Sequence, residues 1–265
     1  VTLEDSTDRI AVAAVQGPTS REILGRACDL DLDGLGYYQV GQGLLEGREV
    51  CLSRTGYTGD LGYEVWVENE GALPVWDALM AVGRAYNLQP AGLEALDNVR
   101  LEAGYIMNGV DFFCAHQCLT EARQSTPLEL GLGWLVDLDR EPFVGQGALQ
   151  AEKERGPEKC LVGLEMDWEE LAALYEKEGL PAHVPSRAWR TGGPVYNPRG
   201  RWIGKATSGS WSPILKKNLA LAQVEPAYST PGTRIKLEWT VEYRRHQVAA
   251  EVVARPFYNP ERKKA

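Results

Sequence analysis

Six short strand-like runs occupy the part of the chain beyond Glu158: residues 160–166, 193–196, 202–207, 218–224, 233–239 and 247–253. Turn sequences separate them, among them Asn197-Pro198-Arg199-Gly200 and Thr230-Pro231-Gly232. Runs this short and evenly punctuated bury their backbone edges by curling back on themselves, so the spacing predicts a compact β-barrel or sandwich. A helix over 168–178 is expected to interrupt it. Upstream the pattern is mixed. A strand is expected at 10–15. A helix follows it, opened by a capping box in which Thr19 stands three residues before Glu22. A second strand at 48–54 and a third at 63–68 flank a loop with three glycines, Gly56, Gly59 and Gly62. The third alternates Tyr63, Val65 and Val67 with Glu64, Trp66 and Glu68, as a half-buried strand does. Two helices come next: one ending near Asn87 with Leu73, Trp76, Leu79, Met80 and Gly83 on its apolar face, and one over 92–103. A further helix is expected over 145–155. The fold class is therefore α+β: an antiparallel sheet with helices over 1–155, then a small C-terminal β-barrel domain over 156–265. The break falls at Glu154-Arg155-Gly156-Pro157-Glu158.

Charge excludes several partners. The chain carries 28 Lys+Arg against 37 Asp+Glu, a net charge of −9, whereas nucleic acids and anionic membranes select a basic face. Neither is expected as a partner. No apolar run reaches the roughly 18–20 residues that a membrane helix needs. The five cysteines are scattered and odd in number, and the chain opens on charged residues instead of an apolar leader, so a reducing cytoplasm is expected. Cys114, His116 and Cys118 lack the second ligand pair of a closed zinc site, and no metal is expected. The glycine signatures of nucleotide-binding folds, the HExxH helix and the GxSxG elbow are all absent.

Chemistry concentrates in Ser53-Arg54-Thr55-Gly56-Tyr57-Thr58-Gly59-Asp60-Leu61-Gly62-Tyr63-Glu64 and in Arg100. On its helix Arg100 shares a stripe with Leu93, Leu96 and Ala103. A buried guanidinium there demands a carboxylate or a ligand. Glu64 lies on the strand face opposite Tyr63 and Val65. A carboxylate so placed can accept two parallel N–H bonds, which suits a heterocycle with adjacent ring N–H and amino donors, such as a pterin or guanine edge. The same residues also allow a plainer arrangement, with Glu64 solvated and Arg100 its structural ion-pair partner.

The segment 53–64 resembles the S-R-T-G-Y-T-G-E-x-G-Y/F-E signature of the aminomethyltransferase family, that of the glycine cleavage T-protein. Three further stretches match in family order: Val15-Gln16-Gly17-Pro18 resembles L-Q-G-P, Val99 to Gly104 resembles L-R-L-E-A-G, and Thr207 to Pro213 resembles T-S-G-x-x-S-P. The resemblance covers nearly the whole chain. It implies tetrahydrofolate as cofactor, with Glu64 on the pterin, Tyr57 lining the same site, Arg100 at the folate site and Trp211 as a wall. It also implies a one-carbon transfer from an aminomethyl group on a lipoylated carrier protein, yielding methylenetetrahydrofolate and ammonia.

This sequence departs from the family in ways that bear on the donor. The family's aspartate near folate N5 and N10 lies in a segment preceding the part matched here, and no residue of this chain matches it, so no catalytic residue is assigned. Leu96 stands where the family often has arginine, and Met107-Asn108-Gly109 stands where it has L-Y-G. A folate-dependent demethylase acting on a methylated sulfonium, amine or aryl ether is therefore the nearest alternative. A non-catalytic folate-binding module is a second, although the K-G-C-Y-x-G-Q-E signature of that branch is absent. A third is one domain of a larger dehydrogenase fusion. The Lys216-Lys217 pair fits either an acidic carrier, folate's glutamate tail or a solvated turn. Oligomeric state is not specified by any of these features.

Overall fold

A computed structural model describes residues 2–185 and 187–264. They pack as two compact units, 1–96 with 259–265, and 97–258. The change of unit falls within a helix, between Leu96 and Asp97, and the Glu154–Glu158 stretch lies inside the second unit.

The first unit is a four-stranded antiparallel sheet backed by helices. Its strands are β1 (Ile10–Gln16), β2 (Val40–Leu45), β3 (Arg48–Ser53) and β4 (Gly62–Glu68), in spatial order β1-β4-β3-β2. Helices α1 (Ser20–Ala27) and α2 (Ala72–Gly83) belong to the same unit. The expected alternation in β4 is borne out: Tyr63, Val65 and Val67 are buried, while Trp66 and Glu68 are exposed and Glu64 is half-buried. The inward set joins Val15, Leu24, Leu45, Val50, Leu52, Val75 and Leu79 in one core.

Four details differ from the sequence-based expectation. The capping box at Thr19 does not form, because Thr19 has φ −100° and ψ 7° and its side chain makes no cap bond. An N-cap oxygen reaches the helix amides only from an extended backbone. The apolar face of α2 runs through Val75, Leu79 and Gly83 at i, i+4 and i+8, and Leu73 and Trp76 are exposed. Strand β2 was not anticipated. Helix α3 (Leu93–Glu102), within which the unit changes, likewise buries Asp97, Arg100, Leu101 and Glu102 rather than Leu93.

The second unit carries α4 (Gln146–Arg155), β5 (Cys160–Met166), α5 (Trp168–Lys177), β6 (Gly193–Tyr196), β7 (Trp202–Ser212), β8 (Lys217–Val224), β9 (Arg234–Val241) and β10 (Arg244–Val253). The six strands close into an antiparallel barrel in the order β10-β5-β8-β7-β6-β9, which abolishes free edges. Its interior is aliphatic, with Val162, Leu164, Val195, Ile203, Ala220, Ala222, Leu237 and Val248 fully or almost fully enclosed. Helix α5 caps it through Leu171 and Leu174, with Asp167 as a true N-cap accepting from the Glu170 amide at 3.0 Å. Strand β7 runs beyond the expected 202–207, so that the Thr207–Ser212 part of the barrel motif is itself strand. No helix among the described residues is long and apolar enough to cross a membrane.

Candidate functional site

The four motifs pair off in twos, each pair inside one unit. In the first unit Val15-Gln16-Gly17-Pro18 meets 53–64. The Gln16 side chain donates from Nε2 to the carbonyls of Thr55 and Tyr63, both at 3.2 Å, and accepts from Thr58 Oγ1 at 2.8 Å. It lies where side chains at positions 56 and 62 would be: a Cβ at Gly56 would come within 2.0 Å of Gln16 Oε1, and one at Gly62 within 2.1 Å. Two glycines of the signature are thus a seat for one glutamine. The Gly17 amide and the Ser20 hydroxyl both donate to the Leu61 carbonyl. Arg262 closes the outer end with a bidentate pair to Asp60, 2.7 Å on each arm. The loop between β3 and β4 is thereby held from several sides.

Glu64 stands at the end of that loop, directly across from Ser53 in the β3/β4 register. Directly opposed residues share a sheet face, and this is the face away from the core. Ser53 Oγ donates to Glu64 Oε2 at 3.0 Å, and Trp66 Nε1, two residues along on the same face, donates to Ser53 Oγ at 3.2 Å. Among the described residues, Oε1 of Glu64 takes no hydrogen bond. Tyr57 is half-buried within the same loop.

In the second unit 99–104 meets 207–213 through Asp111. Arg100 is fully enclosed and pairs with Asp97 at 2.8 Å and with Asp111 at 2.6 Å, donating also to the Tyr105 carbonyl. The demand made by an arginine on a helix stripe is met here by two carboxylates. Asp111 Oδ2 also takes the Met107 amide, while its Oδ1 takes the hydroxyls of Thr207 and Ser208, both at 2.6 Å. Neighbouring strand residues normally point to opposite faces. Here the β7/β8 register shifts between Ala206 and Ser208, and a bulge of this kind re-aims a side chain so that two successive hydroxyls reach one oxygen. Glu102 takes the Ser212 hydroxyl at 2.5 Å. Gly104, at φ +68°, is the left-handed residue that ends α3. Burial pushes the Arg255 guanidinium down, and Asp111 opposes that shift. Trp211 packs on Trp168 of α5, ring centroids 5.1 Å apart.

Sequence reasoning had no means of singling out Asp111, Thr207 and Ser208 as one cluster, since they lie about a hundred residues apart in the chain. Nor did it pick out the Gln16 clamp or the Trp66–Ser53–Glu64 chain. The only signal for them was the presence of Gln16 and Ser53 inside the recognised motifs.

Comparisons with known proteins find two family domains in succession along the chain. The GCVT N-terminal domain family matches residues 1–140, and the glycine cleavage T-protein C-terminal barrel domain matches residues 159–259. An aminomethyltransferase of Halothermothrix orenii is 38% identical over 253 residues, 96% of this chain. One of Thermotoga neapolitana is 37% identical over 258 residues, 97% of this chain, and one of Bacillus subtilis 36% over 260. The chain spans 62% of the length of the first two. In fold it resembles the glycine cleavage system aminomethyltransferase T of Bartonella henselae, with a TM-score of 0.62, 20% identity, and coverage of 95% of this chain and 84% of that one. Sheet unit and closed barrel together define a protein of the T-protein architecture. The chain belongs to the glycine cleavage T-protein family.

Proposed function

We propose that this chain serves a tetrahydrofolate-dependent aminomethyltransferase reaction, converting an aminomethyl-lipoyl carrier and tetrahydrofolate into methylenetetrahydrofolate, ammonia and the reduced carrier. The observation that carries this is Glu64: a half-buried carboxylate on the sheet face away from the core, one oxygen anchored by Ser53 and the other with no partner among the described residues. A carboxylate held that way fits the paired N–H donors of a pterin edge. When bound, tetrahydrofolate supplies N5 as the nucleophile for the one-carbon unit. Glu64 fixes the ring's orientation, and orientation of reacting atoms is a large part of catalysis in such transfers. Tyr57, from the loop clamped by Gln16, lines the same site. To Arg100 we assign an indirect role, holding Asp111 and the chain around Tyr105 and Met107.

Calorimetric titration of (6S)-tetrahydrofolate into the native chain and into Glu64→Gln tests this. Hydrogen bonds to a charged group contribute roughly 1.5–3 kcal/mol each, so the variant is expected to bind about tenfold or more weakly. Equal binding by both would refute the assignment. Ammonia release with a lipoylated carrier, as against methyltetrahydrofolate formation from a methylated donor, separates the aminomethyl reaction from a demethylase.

A further inference from the structure

The chain of contacts behind Glu64 has a fixed direction. An indole N–H can only donate and a carboxylate can only accept, whereas a serine hydroxyl donates once and accepts through its lone pairs. Because Trp66 Nε1 points its hydrogen at Ser53 Oγ (3.2 Å), the Ser53 proton is directed at Glu64 Oε2 (3.0 Å). Register places all three residues together: Ser53 opposes Glu64, and Cys51 opposes Trp66, so Trp66 sits diagonally from Ser53 on the same face. Diagonal neighbours are within reach of a long aromatic side chain. Trp66 is 40% exposed and its ring lies outside the core of the unit. Its position is therefore not explained by burial of the indole.

We propose that Ser53 and Trp66 are positioning residues that pre-orient the Glu64 carboxylate for a ligand with two adjacent N–H donors, a proposal that rests on the folate function above. A free glutamate side chain has three rotatable bonds and must be ordered when it binds. With Oε2 held, the plane of the carboxylate is set before the ligand arrives. Oε1, which takes no hydrogen bond among the described residues, and the remaining lone pair of Oε2 are left as a two-point acceptor. Preorganisation of this kind raises affinity by removing ordering cost rather than by adding a contact. It also sharpens selectivity, because only a ligand with both donors gains from the fixed plane.

The test compares binding of (6S)-tetrahydrofolate with that of its 2-desamino-2-methyl analogue, which lacks one donor. The proteins are the native chain, Ser53→Ala, Ser53→Thr, Trp66→Phe and Glu64→Gln, each checked for cooperative unfolding. The native chain is expected to favour the folate. Ser53→Ala is expected to weaken folate binding by about tenfold while leaving the analogue nearly unchanged, so that the ratio collapses. Ser53→Thr keeps the hydroxyl and restores the ratio. Trp66→Phe, which keeps a ring but no N–H, lowers it by a smaller factor, and it carries the test by itself if Ser53→Ala does not fold. A merely structural role would shift both ligands alike. If the native chain binds folate in a Glu64-dependent way but Ser53→Ala and Trp66→Phe keep its selectivity, the positioning role is refuted alone. If folate binding is absent, or indifferent to Glu64→Gln, the underlying function falls as well.

Discussion

Asp111→Ala is the substitution with the largest effect expected from this structure. The side chain is fully buried and accepts four hydrogen bonds, from Arg100 Nη1, the Met107 amide, and the hydroxyls of Thr207 and Ser208. Its removal leaves an enclosed guanidinium with Asp97 as its sole carboxylate among the described residues, and Asp97 is already shared with Arg190 at 2.8 Å. Breaking a buried pair by deleting one partner costs roughly 3–5 kcal/mol. For a folding unit of this size each kcal/mol moves the midpoint by roughly 2–4 °C. A drop of about 6–20 °C in thermal midpoint is expected, with a matching fall in urea midpoint. Asp111→Asn keeps one acceptor oxygen for Arg100 and offers its amide to two hydroxyls that can accept, so it should lose less. The decisive variant is Arg100→Met with Asp111→Leu. Replacing both charges by apolar groups of similar volume removes the stranded cation, and the double variant is expected to be more stable than Asp111→Ala. A midpoint for Asp111→Ala within a degree or two of native would refute the argument. So would a double variant whose loss equals the sum of its parts, since contacting members of one network do not behave additively.

Two glycines separate steric causes. Gly204→Ala places a Cβ within 2.1 Å of the Gln223 carbonyl oxygen, backbone of the adjoining strand, and is expected to cost at or above the top of the roughly 1–3 kcal/mol range for overpacking. Gly62→Ala meets the mobile end of Gln16 instead, so the glutamine swings away and the loss is that of its hydrogen bonds, about 1–3 kcal/mol. Urea denaturation should rank them in that order. Glu129 gives a pH test. Burial holds its carboxyl above the usual range, Glu152 and Glu158 push the same way, and the Thr126 amide and Lys159 oppose them. The folded chain therefore binds this proton more tightly than the unfolded chain, and stability falls as pH rises from the ordinary carboxylate pKa through the raised one. Glu129→Gln removes that dependence. The variant is expected to gain on the native protein between pH 4 and neutrality, and a difference constant across that span would exclude the effect.

What could be read in the sequence follows from where the physics is local. Alternation in β4 and the six barrel runs are short-range patterns, and they appear where expected, although β7 runs on to Ser212. The strand β2 escaped because Val40-Gly41-Gln42-Gly43-Leu44-Leu45 reads as a glycine-rich loop. Its glycines answer to neighbours the sequence does not name: a Cβ at Gly41 would come within 2.8 Å of Leu30, and one at Gly43 within 2.8 Å of the Cys28 sulfur. Arg100 marks the limit from the other side. Its need for a carboxylate was legible from the helix stripe, and Asp97 at i−3 was within reach of that reasoning. Asp111 was not, because the bulge at Thr207 that completes its shell is a tertiary feature. The same holds for Glu64. The motif identified the residue, but only the β3/β4 register shows that the serine opening the motif holds the glutamate closing it. A motif of this length is thus the sequence trace of one hairpin whose ends must meet face to face. Substituting Ser53 should then disturb Glu64 even though eleven residues separate them.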